Sequence, residues 1–314
     1  MMDNKKERCS RCKRPAVYDM RCHTESLCEK CFIDLFEKKV RRTIRTNRLL
    51  RAEDRTAVAL SGGKDSAVTL YMLKDILKKA PSEKLFAITI DQGIKGAENG
   101  LEVSKRLCKK LDVEHRIYSF KKEHGYSMDE VVKKSEKMTH PAPPCSFCGV
   151  LRRKLLNSKA KDLGATRIAT GHNMDDEIQT SLMNYVRGDV EKIARMGALV
   201  GVVRDERFIQ RIKPLRDCPE NEVLLYAQLK GIEYEPARCP YSGEAFRATI
   251  RKAIDAIETN HPGSKHQILK STDTLIGLLR KDKDFGVMGS CNKCGDPCSE
   301  KTCKFCQIEQ KLME

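Results

Sequence analysis

Short apolar runs and longer amphipathic stretches alternate along the chain. Thr56–Leu60, Leu85–Ile90, Val113–Phe120 and Arg167–Thr170 read as buried strands. Between them apolar residues recur at helical spacing. Val68, Leu70, Met72, Leu73 and Leu77 mark one helix, and others are expected over Ala97–Leu111, from near Gly149 to Leu163, after His172, and at Glu220–Leu229 and Glu244–Glu258. Strands separated by helices of about ten to fifteen residues predict an α/β fold with a doubly wound parallel sheet. A helix over 32–55 precedes it, with Lys38, Lys39, Arg41, Arg42, Arg45, Arg48 and Arg51 around an apolar stripe. It reads equally as a solvated face or as a connector that contacts phosphates. Residues 190–216 read as basic and irregular (Lys192, Arg195, Arg204, Arg207, Arg211, Lys213, Arg216), and Glu233–Pro240 as a strand end.

In such a sheet, ligands bind outside the carboxyl ends of the strands. Leu60-Ser61-Gly62-Gly63-Lys64-Asp65-Ser66 lies there, after the first strand and before a helix. Two glycines let consecutive N–H groups approach a ligand, while the helix start and Lys64 add positive charge. The turn therefore suits phosphate or pyrophosphate, with a spacing unlike the Walker A loop. The ends of two further strands, at Ile90-Asp91 and at Gly171-His172, gather on the same edge. Asn173 or Asp175 is expected to cap the next helix, and the run Asp175-Asp176-Glu177 suits magnesium or proton handling.

Cysteine spacing adds metal chemistry. Cys9-x-x-Cys12 with Cys28-x-x-Cys31, and Cys291-x-x-Cys294 with Cys303-x-x-Cys306, each have the spacing of a four-thiolate zinc site. Cys22 and His23 are alternative ligands in the first module. These modules divide the chain into 1–35, a central domain at 36–285, and 286–314. Cys145 and Cys148 follow three prolines and are expected on a stiff loop at a helix N-terminus. With Cys239 they make three thiolates, which leave a coordination position open. Cys108 and Cys218 read as packing residues.

Composition narrows the partners. The 314 residues carry a net charge of +16, from 60 Lys+Arg against 44 Asp+Glu, which favours a polyanion and nucleic acid first. Trp is absent and aromatics are 5%, so no aromatic stacking platform for single-stranded RNA is evident. No apolar run approaches a membrane span and no leader-like segment opens the chain, so a cytoplasmic protein without a membrane is expected. Fifteen cysteines then argue for metal or redox chemistry over disulfides.

Ser-Gly-Gly-Lys-Asp-Ser after a strand resembles the signature of the PP-loop ATP pyrophosphatases. With Pro143–Gly149, Thr170–Glu177, Arg238-Cys239-Pro240 and the paired zinc modules, the chain resembles the TtcA/TtuA family of tRNA 2-thiolation enzymes, in its archaeal and eukaryotic branch. The resemblance covers nearly the whole length. It implies that Cys145, Cys148 and Cys239 hold a 4Fe-4S cluster whose fourth iron lacks a protein ligand. It implies an ATP pocket from Ala59, Ser61, Gly62, Gly63, Lys64, Asp65, Ser66, Ile90, Val150 and Gly171, with Mg²⁺ bridged through acidic residues such as Asp65. It implies a catalytic carboxylate at Asp176, with Arg152 where the family places a lysine. Arginine keeps the charge and donors but does not act as a base.

The activity implied is adenylation of a tRNA uridine C2 oxygen by ATP, then sulfur transfer from the open iron with departure of AMP. The wobble uridine is favoured over the T-loop uridine. The sulfur donor is sulfide or a ubiquitin-like thiocarboxylate protein, and the assembly a homodimer. Two alternatives remain at this level: a cluster-free persulfide and disulfide relay on the same cysteines, and a zinc-based RNA-binding protein with a vestigial nucleotide site.

Overall fold

A computed structural model describes residues 8–20, 25–138, 143–200, 207–237, 239–241, 245–282 and 289–313. Strands β1 (Tyr18–Met20) and β2 (Glu25–Leu27) form an antiparallel hairpin, and helix α1 (Glu29–Thr46) leaves it with Cys28 as its N-cap. The α/β core follows as β3 (Thr56–Ala59), α2 (Lys64–Ile76), β4 (Leu85–Asp91), α3 (Glu98–Leu111), β5 (Glu114–Ser119), α4 (Phe120–His124), α5 (Met128–Ser135) and α6 (Pro144–Asp162). It continues through β6 (Arg167–Ala169), α7 (Met174–Val186), α8 (Val190–Ala194), β7 (Gln210–Ile212), α9 (Glu220–Leu229), α10 (Ala245–Asn260) and α11 (Ser264–Asp282). A second hairpin, β8 (Gly289–Ser290) with β9 (Pro297–Cys298), and α12 (Lys304–Met313) end the described chain.

The sheet is parallel throughout, in the order β5-β4-β3-β6-β7. Strand order reverses beside β3, so the crevice between the carboxyl ends of β3 and β6 is the expected ligand position for an open α/β sheet. Both faces are covered because successive side chains point to opposite sides. Val58, Leu85 and Ala87 join the cluster containing Phe36, Leu70 and Tyr226, whereas Ala57, Phe86 and Ile88 join that containing Phe147, Leu151 and Leu155. Phe36 and Tyr226 stack with centroids 4.2 Å apart and are both fully buried. Burial of each such ring contributes roughly 1.5–3 kcal/mol.

Several expectations change. Residues 32–55 are not one helix: α1 starts earlier and ends at Thr46, and the boundary expected at 35/36 falls inside it. Cys145 and Cys148 are not on a loop ahead of a helix but within the first turns of α6, which begins at Pro144. Proline is tolerated at a helix's first position because its missing N–H has no intrahelical acceptor there. No strand forms among the described residues of 233–240, which are irregular. Conversely, the stretch read as irregular contains β7. Helix α11 extends the helical layer beyond the last helix expected. Cys108 and Cys218 are buried in core packing, as anticipated. Cys22, His23, Arg204 and Arg238 lie outside the described residues. No described helix is long and apolar enough to cross a membrane.

Candidate active site and metal centres

The glycine turn closes on itself before any ligand is considered. Ser61 N donates to Ser66 Oγ (3.1 Å), and Ser66 Oγ donates to Gly63 O (2.9 Å), so the serines at both ends fix the loop. Gly62 has φ +85°, and a Cβ there would lie 2.3 Å from Gly100 O. Left-handed backbone and close approach both demand glycine. Lys64 Nζ reaches Asp65 Oδ2 and Glu220 Oε1, each at 2.9 Å. Burial opposes its charge, yet these two carboxylates outweigh burial and raise its pKa.

The end of β6 packs straight onto this turn. A Cβ on Gly171 would lie 2.7 Å from Asp65 C and Ser66 N, so only glycine lets the two strand ends meet here. Asn173 is the cap of α7: its side chain accepts from Asp176 N (3.1 Å), and Asp176 Oδ2 accepts from Asn173 N (3.2 Å). Asn173 Nδ2 also donates to Asp65 Oδ1 (3.0 Å), which brings Asp65 and Asp176 to one place. Removal from water, with the Asp65 charge added, pushes Asp176 up to about 6. The other two acids of the run have structural partners. Asp175 Oδ2 accepts from Glu220 N (2.7 Å) and its other oxygen pairs with Lys265. Glu177 is buried against Lys213 (2.6 Å) and Arg216 (3.2 Å). Of the three carboxylates, Asp176 alone has no ion-pair partner among the described residues. Ala59 and Ile90 lie at the ends of β3 and β4, and Val150, half-buried, lies on α6.

The segment after α9 joins the glycine turn to the cysteines. Glu235 N donates to Gly62 O (2.8 Å), and six residues on Cys145 Sγ donates to Tyr241 O (3.2 Å). Cys239 lies between these two anchors and is exposed, while Cys145 and Cys148 are half-buried on α6. Burial raises the Cys148 thiol, Arg152 opposes that rise, and the Cys239 charge adds to it, so 239 lies within electrostatic range of 148. These three sulfurs are not among the groups packed within 4.8 Å of one another. A cluster places its thiolates on different irons, so a spread wider than that of a single-ion site fits one.

The two four-cysteine groups are tighter. Cys9, Cys12, Cys28 and Cys31, and likewise Cys291, Cys294, Cys303 and Cys306, have sulfurs within 4.8 Å of one another. Cys12 and Cys28 are 3.4 Å apart, Cys12 and Cys31 3.7 Å, and Cys294 and Cys303 3.6 Å. A tetrahedral ion with metal–sulfur bonds of about 2.3 Å spaces its ligands at roughly 3.8 Å. Both donor sets fit one such ion. The second module is docked on the core: Lys154 pairs with Asp296, Tyr126 donates to Glu309, and Lys134 Nζ reaches Leu312 O (2.8 Å).

Sequence reasoning missed Gly100, Glu220 and Glu235, which buttress the turn, and Tyr241, which holds Cys145. Only Gly100 carried a signal, as a lone glycine within a helical pattern. Part of the basic helix is internal. Lys39 pairs with buried Glu222 (2.5 Å) and Arg41 with Asp75, leaving Lys38, Arg42 and Arg45 exposed on one face without an ion pair among the described residues.

A family model for the PP-loop domain matches residues 34–257. The tRNA 2-thiolation protein NcsA of Haloferax volcanii is 36% identical over 320 residues, covering 97% of this chain and 98% of that protein. The tRNA-5-methyluridine(54) 2-sulfurtransferase of Pyrococcus horikoshii is 34% identical over 308 residues, with 96% and 93% covered. Among solved structures, the U34-tRNA thiolase NcsA from Methanococcus maripaludis with its 4Fe-4S cluster has a TM-score of 0.84 at 35% identity, covering 99% of this chain and 97% of that one. With likeness of this extent over nearly its whole length, the chain belongs to the tRNA 2-thiolation branch of the PP-loop family.

Proposed function

We propose that this protein is an ATP-dependent tRNA-uridine 2-sulfurtransferase. The observation that carries this reading is the tether from Gly62 O through Glu235 to Tyr241 O and Cys145, which sets Cys239 between a phosphate cradle and a cysteine pair. A uridine C2 oxygen is a poor leaving group, and adenylation makes it a good one. The N–H groups of the glycine turn and Lys64 hold the phosphates, and Asp65 would hold Mg²⁺. Asp176 accepts the uridine N3 proton, which leaves O2 nucleophilic towards the α-phosphorus as pyrophosphate departs. Arg152 supplies charge and donors but takes no proton. Cys145, Cys148 and Cys239 would hold a 4Fe-4S cluster, which when bound supplies a Lewis-acidic iron able to carry sulfide. Sulfide, supplied free or by a thiocarboxylate protein, attacks C2 and expels AMP with the oxygen. The N3 proton then returns, and no net electron transfer is needed. RNA-dependent release of AMP by the cluster-loaded protein tests the reading, and AMP release indifferent to RNA would reject it.

We place the target at the wobble uridine, the nucleotide named for the NcsA structure that this chain matches closely along its length. Mass spectrometry of tRNA nucleosides from a deletion strain decides between that position and position 54. Exposed Lys38, Arg42 and Arg45 on α1 give a basic face for the tRNA backbone, and binding weakens steeply with salt. None of the fourteen described cysteines is in a disulfide, which suits the reducing cytoplasm.

Two outcomes follow at the level of single groups. With Asp176 titrating at about 6 and active when ionised, turnover falls as pH drops through that value. Asp176→Asn keeps a capping acceptor, removes that acid limb and lowers turnover by about 10²–10⁴-fold; a pH–rate profile with the limb intact in the variant would exclude the role. The four-thiolate sites hold one structural zinc each. Cys306→Ser is expected to lower bound zinc from about two to about one per chain and to expose α12 to proteolysis, measured by elemental analysis and limited digestion.

A further inference from the structure

A second cluster of charge, Arg152, Arg153 and Arg211, begins within electrostatic range of Cys148. Asn157 Oδ1 accepts from Ile209 N (3.1 Å), so α6 is tied at that point to the residue that leads into the outer strand β7. One helical turn back along α6 stands Arg153, and two residues on along β7 stands Arg211; these steps span similar lengths, about 6 Å. Arg211 is the register partner of Ile168, whose side chain packs into the core cluster on the α6 face. Arg153 folds back over the preceding turn: a Cβ on Gly149 would lie 3.2 Å from Arg153 Nη1, and glycine there leaves it room. Burial together with the charges of Arg153 and Arg152 lowers the Arg211 pKa to about 10. Among the described residues no carboxylate pairs with Arg152, Arg153 or Arg211. Most other arginines of the core, such as Arg55, Arg106 and Arg216, have acidic partners.

We propose that Arg153 and Arg211, with Arg152 at their rim, form a phosphate subsite for the RNA phosphodiester beside the nucleotide being thiolated. The inference rests on the functional reading above. Like charges held together with no carboxylate partner among the described residues destabilise the free protein and await an anion. The ATP phosphates already have the glycine turn and Lys64. A target base lying between that turn and Cys148 would bring its own strand phosphate to these guanidinium groups, whose planar forks match it.

The test uses full-length, cluster-loaded protein with Arg153→Gln and Arg211→Gln, and Arg211→Lys as the charge-conserving control. Equilibrium binding of unmodified tRNA is measured across a salt series without turnover, beside ATP affinity, iron content and Tm without RNA. Each glutamine variant is expected to bind tRNA about 10- to 100-fold more weakly, with a salt slope shallower by about 0.7. Arg211→Lys keeps most of that slope. ATP affinity and iron content stay unchanged, and Tm holds or rises as repulsion is relieved. Unchanged tRNA affinity and slope would overturn the subsite, as would a fall in ATP affinity, iron content or Tm, which would mark the cluster as ATP-binding or structural. Failure of the unaltered protein to thiolate tRNA would instead overturn the functional reading.

Discussion

Replacing Cys239 with alanine is expected to leave a folded protein that no longer thiolates tRNA. The residue is exposed, packs in none of the apolar clusters and lies in an irregular segment, so its loss removes no core contact. The segment stays anchored by Glu235 N on Gly62 O and by Tyr241 O under Cys145. On the proposed reading what is lost is one of three cluster thiolates, and two do not hold a cluster of this kind. Iron content should fall with thiolation, the latter on the order of 10³-fold or more, as for removal of an essential catalytic group. ATP affinity should persist, because the glycine turn is untouched. Retained thiolation with a normal iron content would remove the cluster from the mechanism, and retained thiolation with no iron would favour a persulfide relay on Cys145 and Cys148.

Gly171→Ala acts from the other side of the site. The added carbon would sit 2.7 Å from Asp65 C and Ser66 N, closer than a Cβ is found to backbone. Neither atom is at the end of a flexible side chain, so either the start of α2 or the end of β6 must move. Overpacking of this kind costs about 1–3 kcal/mol. A displacement approaching 1 Å of the phosphate cradle lowers turnover by about 10²-fold. ATP affinity should fall while iron content holds, the reverse of the Cys239 result. Isothermal titration with a non-hydrolysable ATP analogue reads the first and elemental analysis the second. A variant that binds ATP normally would mean that the β3–β6 crevice is not the nucleotide site.

The two substitutions also mark what could be read before any coordinates. The glycine turn, the order of strands and helices and the cysteine spacings are local: each follows from periodicity or residue type over a few positions. The strand ends that meet at Gly62 and Gly171 follow from parallel topology alone. What escaped was set by contacts distant in sequence. β7 is three residues of Gln-Arg-Ile, with no apolar run, and is a strand because it pairs with β6. The segment around Cys239 is rich in apolar and proline residues but donates to the glycine turn, not to a sheet neighbour. Pro144 reads as a helix breaker from sequence but opens α6, because position within a helix decides what proline does. Asp175 and Glu177 have the composition of a metal site, and Lys265, Lys213 and Arg216, many residues away, turn both into buried ion pairs.

The central claim is that one iron centre is bounded by residues 145, 148 and 239 next to the phosphates of ATP. It is tested most directly by diffraction from anaerobically grown crystals with an ATP analogue, recorded at the iron edge. The expected map has one anomalous peak contacted by those three sulfurs alone, on the side of α6 that faces the glycine turn. Iron density elsewhere, or a fourth protein side chain closing the coordination, would contradict it.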